Sequence, residues 1–100
     1  MKIVAMSSDL MDRSRIAGAI GDVEFVTDPA RTTAADVVVI DLARHADAVS
    51  AVRAAAPDAR IVGFGPHVDT ERFARATEDG ADVVVPRSVF FQDPGATLRR

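Results

Sequence analysis

The sequence predicts a three-layer α/β fold: a doubly wound, parallel five-stranded sheet with helices on both faces. Two observations lead there. Short β-branched runs recur at Lys2–Met6, Val23–Thr27, Asp36–Asp41 and Arg60–Phe64, with a fifth candidate at Asp82–Val85, and most are continuously apolar rather than alternating. That pattern belongs to strands covered on both faces. Helical patterns with their own start and stop signals separate the runs, and strands alternating with helices wind right-handedly into one parallel sheet.

The first run, Lys2–Met6, leads into a helix that Ser8 can cap, with Asp9 and Asp12 in the positive first turn and Ile16, Ala19 and Ile20 along one face. Gly21 ends it. After the second run only Asp28–Ala35 remains before the third, whereas a parallel crossover usually takes a dozen or more residues. Those residues, extended, still reach roughly 27 Å. The second helix is therefore expected to be shortened or absent, one turn at most near Pro29–Thr33. Beyond the third run, Ala46–Ala56 is alanine-rich with Val49 and Val52 on one face, and Pro57 stops it. The next helix has the clearest start: Asp69 caps it, Val68 and Phe73 form a hydrophobic staple, and Gly80 supplies the stop. Within Arg87–Arg100, Pro94 and Gly95 break any long helix, so a short or split final helix is expected to cover the sheet thinly.

Composition narrows the function. The chain has 100 residues, enough for one domain, 1–100, with 48% hydrophobic and 27% charged residues. The net charge of −3 offers no basic field for nucleic acid or an anionic membrane surface. The absence of cysteine excludes disulfides, thiolate chemistry and cysteine-based metal sites, and fits the cytoplasm. Ile3–Met6 is too short for a signal-peptide core, and no apolar run approaches the roughly 18 residues of a membrane span. The chain reads as soluble and cytoplasmic.

In open α/β sheets the functional crevice lies beyond the carboxyl ends of the strands. Here those ends are Met6-Ser7-Ser8, Ile40-Asp41-Leu42, Phe64-Gly65-Pro66 and Val85-Pro86-Arg87. With its stretches Asp36–Asp41, Arg60–His67 followed by Asp69, and Gly80–Arg87, the chain resembles the receiver domain of two-component response regulators over most of Lys2–Phe91. The resemblance implies a flavodoxin-like, CheY-like sheet of strand order 2-1-3-4-5. It also implies a site. In receivers an acidic pair after the first strand helps hold magnesium, an aspartate ending the third accepts phosphate, a hydroxyl residue ends the fourth, and a lysine follows the fifth. Those positions match Ser7 and Ser8, Asp41, Gly65 and Arg87, so Asp41 alone is unchanged, and Val84 stands at the aromatic switch position.

The departures bear on the chemistry. Phosphoryl transfer is mostly charge positioning, and magnesium needs hard anionic oxygens that neutral Ser7 and Ser8 lack. Asp9 has two readings, helix cap or, with Asp41, a ligand for magnesium. Arg87 keeps the cation as a permanently charged fork. One reading pairs it directly with Asp41 as a fixed stand-in for phosphate; the other leaves Arg87 solvated and Asp41 capping a turn, with Arg44 as a rival partner for Asp41. His45 and His67 stand as loop polar residues without a neighbouring ligand cluster. Phe90 and Phe91 either fold back over the sheet or expose a contact surface.

The expected function is a degenerate, pseudo-receiver module: phosphorylation-independent, without metal or catalytic residues, and regulating through contacts with another protein chain or a second copy as a homodimer. The alternatives are a working receiver phosphorylated on Asp41 with magnesium, and a small-ligand binder of the flavodoxin kind. An independent enzyme is not expected, because no nucleophile–base–orienter set is present.

Overall fold

Valine and isoleucine dominate the central strands because both faces of the sheet are buried. The computed structural model describes residues 1–99. Strands β1 (Ile3–Met6), β2 (Glu24–Phe25), β3 (Val37–Asp41), β4 (Arg60–Gly65) and β5 (Val83–Pro86) form one parallel sheet in the order β2-β1-β3-β4-β5. All of β3 is buried, and its residues alternate between two cores. Val38 and Ile40 pack with Leu42, Val49, Val52 and Ala76 on one face. Val37 and Val39 pack with Ile16, Phe64, Phe90 and Leu98 on the other. The period of two in a strand thus divides one apolar run between two helical layers.

The layers are built from α1 (Leu10–Ile20), α2 (Leu42–His45), α3 (Val49–Ala55), α4 (Thr70–Glu78), α5 (Arg87–Gln92) and α6 (Pro94–Leu98). Several local expectations change. The cap of α1 is Asp9, not Ser8: the Asp12 N–H donates to Asp9 Oδ1 at 2.9 Å. Strand β2 is shorter than Val23–Thr27, since only Glu24 and Phe25 pair with β1 at this sheet edge. The helix expected over Ala46–Ala56 is regular only from Val49 to Ala55, behind a 3₁₀ turn at Ala46–Ala48. In front of it stands α2, an extra turn capped by Asp41.

The shortened β2–β3 connection does contain a single 3₁₀ turn, Pro29–Thr32, in place of a second crossover helix. Asp28 caps it through the Ala30 N–H, and buried Thr32 donates its hydroxyl to the Pro29 carbonyl at 2.7 Å. The final helix is split as expected. Asp93 caps α6, with Pro94 at its first position, where the missing N–H costs nothing. Thin cover does not follow from the split: Phe90 and Leu98 reach back over the sheet, leaving Val39, Val62 and Phe64 at 0% exposure. Arg100 lies outside the described residues.

Candidate functional site

The carboxyl edge of the sheet gathers the ends of β1, β3, β4 and β5. Parallel register sets Met6 beside Ile40, Asp41 beside Phe64, and Gly65 beside Pro86. Asp41 is only 2% exposed, and its Oδ1 accepts the Ala43 N–H at 3.0 Å, so the carboxylate starts α2. The loop after β1 carries Ser7, buried, and Ser8, exposed. Ser8 Oγ shares a 2.8 Å hydrogen bond with His45 Nε2.

Asp9 faces Arg44, with 3.8 Å between Asp9 Oδ2 and Arg44 Nη2. The Asp12 N–H, first among several causes, holds the Asp9 carboxyl below its usual range. Partial burial opposes that, while the Met11 N–H and the charges of Arg44 and Arg87 add to it. Arg44 is thus paired with Asp9 and not with Asp41.

Arg87 does not bond Asp41 either. Its guanidinium forks onto Asp12: Nη2 donates to Oδ1 at 2.7 Å and Nη1 to Oδ2 at 3.2 Å. The Asp12 side chain is 7% exposed and that of Arg87 41%. The hydrogen bond to Asp12 is the first cause holding Arg87 more firmly protonated than usual, partial burial opposes it, and the charges of Asp12, Asp41 and Asp9 add to it. The fork also lies near Phe64 and Phe91, at 5.8 and 5.1 Å from their ring centroids. Asp12 reaches this position because it sits on the inner side of α1, one helical turn before Ile16. Sequence reasoning gave Asp12 only a dipole role. Its partner is 75 residues away, and no local pattern signals such a pair.

Gly65 and Phe90 are closed in by packing. A side chain on Gly65 would meet the Phe73 ring at 3.3 Å and Leu42 at 3.4 Å, so the place of a switching hydroxyl is enclosed by apolar groups. Val84 is half-buried against the same core as Phe73. His67 is exposed in the loop before α4. Phe90 folds inward and stacks on Phe64 at 4.6 Å, and half-buried Phe91 meets both rings edge-on.

The donor set does not suit a divalent cation. Asp9 is engaged as a cap and with Arg44, Asp41 caps α2, and Ser7 and Ser8 are uncharged. Among the described residues no three His, Asp or Glu side chains converge as metal ligands.

No protein-family model matches the chain, and no curated protein matches it in sequence. Solved structures do. A response regulator protein from Burkholderia pseudomallei superposes with a TM-score of 0.82 at 16% identity, over 97% of this chain and 65% of that one. The chain therefore spans less than two thirds of that protein. The chemotaxis protein CheY4 of Vibrio cholerae gives a TM-score of 0.82 at 19% identity, over 99% of this chain and 96% of that chain. A CheY-like protein (tadZ) from Pseudomonas aeruginosa PAO1 gives 0.79 at 18% identity, over 100% and 98%. The five-stranded parallel sheet of order β2-β1-β3-β4-β5 with its gathered strand ends thus has the fold of the response-regulator receiver domains, with one crossover reduced to a single 3₁₀ turn.

Proposed function

We propose that this chain is a receiver-like regulatory module that works without phosphorylation, through contacts with another protein chain or a second copy of itself. The observation that carries this reading is the Asp12–Arg87 fork. In a receiver the cation after the fifth strand answers to the phosphoryl group. Here it is already held by a buried carboxylate of α1. The Burkholderia pseudomallei relative is described with a phosphorylated aspartic acid and a calcium ion. In this chain Asp41 is 2% exposed, and its Oδ1 is taken up by the Ala43 N–H at the start of α2.

Three features support a fixed rather than switching module. The serines supply no anionic oxygens for magnesium, Gly65 offers no hydroxyl to follow a phosphoryl group, and Val84 is packed where an aromatic would swing. The module acts in the cytoplasm, has no catalysis of its own, and uses neither nucleic acid nor membrane as partner. No helix among the described residues is long and apolar enough to cross a membrane.

Incubation with acetyl phosphate and magnesium, followed by intact-mass analysis, tests the proposal. The expected mass is unchanged. Addition of one phosphoryl group located on Asp41 overturns it and establishes the working-receiver alternative.

A further inference from the structure

A second feature of the carboxyl edge lies on its other side, where the rim of β1 and β2 is left open by the missing crossover helix. A cleft of about 390 Å³ is lined there by Ser7, Ser8, Arg13, Glu24, Thr27 and Arg31, with Phe25 beneath Arg13. Among the described residues no carboxylate lies within ion-pair distance of Arg13 or Arg31. Arg13 is laid over the Phe25 ring at 4.7 Å, which orients the guanidinium without using up its N–H donors. Glu24 faces Lys2 at 3.9 Å.

Ser7 supplies an independent sign. It is 5% exposed, and its buried Oγ has no hydrogen-bond partner among the described residues. A buried hydroxyl left unpaired is destabilising, so such groups usually have a partner that is bound or recruited. The acids of the first turn do not oppose an anion here, because Asp9 is engaged with Arg44 and Asp12 with Arg87.

We infer that this cleft binds a tetrahedral oxyanion, phosphate or a phosphomonoester, between Arg13, Arg31 and the hydroxyls of Ser7, Ser8 and Thr27. Two guanidinium forks and several hydroxyls suit a group with several strongly accepting oxygens and more than one negative charge. A volume near 390 Å³ accommodates the anion with a small organic portion. Binding here leaves Asp41 unmodified, so the cleft stands whether or not Asp41 accepts phosphate.

Titration of the isotopically labelled full chain with inorganic phosphate and, separately, glycerol 2-phosphate, at constant ionic strength against a chloride control, tests the inference. Saturable amide shifts are expected at Ser7, Ser8 and Thr27. A tighter response to the ester assigns the anion to a larger phosphorylated molecule, and an equal or weaker one assigns it to free phosphate. Exposed Arg31→Gln is expected to weaken binding by about tenfold, as for loss of one charge-assisted pair, with an unchanged melting temperature. Ser7→Ala is expected to raise the melting temperature without phosphate and to shrink the rise that phosphate produces. Shifts that match the chloride control, or a phosphate response unaltered in both variants, overturn the inference.

Discussion

At the scale of single residues, the Asp12–Arg87 pair illustrates how burial decides a charge's role. A carboxylate buried in the first turns of α1 and left without a partner is costly, and a forked guanidinium offsets much of that cost because both oxygens are answered in one plane. Arg87 remains 41% exposed, so solvent screens part of the attraction. A double-mutant cycle of Asp12→Asn and Arg87→Gln, followed by urea unfolding, is expected to give a coupling energy of about 1–2 kcal/mol. Arg87→Gln alone is expected to destabilise more than the cycle's additive share, since it strands the Asp12 charge. A coupling near zero would show that the fork does not hold α1 to the start of α5. The sequence made Arg87 visible as a cation of interest and left Asp41 either its partner or the cap of a turn, and the cap is what forms. Asp12 was hidden because its place in the first turn of α1 already gave it a local dipole role, and its partner Arg87 is remote in sequence.

At the scale of elements, the opposite edge of the sheet is tied by one side chain. Arg53 of α3 donates to the carbonyls of Gly80, Pro57 and Ala59 and to Asp82 Oδ2, while the same Asp82 oxygen accepts the Ile61 N–H. It thereby joins α3, the turn before β4 and the turn after α4. Gly80 belongs to this arrangement for two reasons: its φ is +119°, and a Cβ there would stand 2.9 Å from Arg53 Cγ. Gly80→Ala is expected to destabilise by more than about 1 kcal/mol. Gly18→Ala, within α1 and with no other described residue outside its own helical turn within 4 Å of the new Cβ, is expected to stabilise by about 0.5–1 kcal/mol. Urea unfolding of the two variants checks the opposite signs. Gly80 was legible as a helix stop. Arg53 was not, because a basic residue near a helix end has many local uses. The first helix shows a similar limit: Ser8 and Asp9 are both good caps, and the hydrogen bond of Ser8 to His45 leaves the role to Asp9.

At the scale of the whole molecule, the two cores share one sheet but depend on different helices. The face under α1, α5 and α6 is closed by the Phe64–Phe90 stack and Leu98, which make up for the split final helix. Phe90→Ala would leave a cavity beside Phe64 and is expected to cost about 3–5 kcal/mol in chemical denaturation. A loss below about 1 kcal/mol would mean that α5 and α6 close over the gap.

What the amino-acid order determined by itself was the architecture. Continuous apolar runs require burial on both faces, the turn residues between them mark helix limits, and a connection as short as Asp28–Ala35 leaves no room for a full crossover helix. The conformation of the strand ends was decided only by the tertiary structure. Arg87, Asp12, Asp9 and Arg44 lie within reach of several opposite charges, and local pattern is silent on which pairs form. Close packing of the helices onto the sheet buries Asp12 and Asp41 to different ends: one answers a guanidinium, the other starts a helix. The same packing leaves Arg13 and Arg31 facing an open rim.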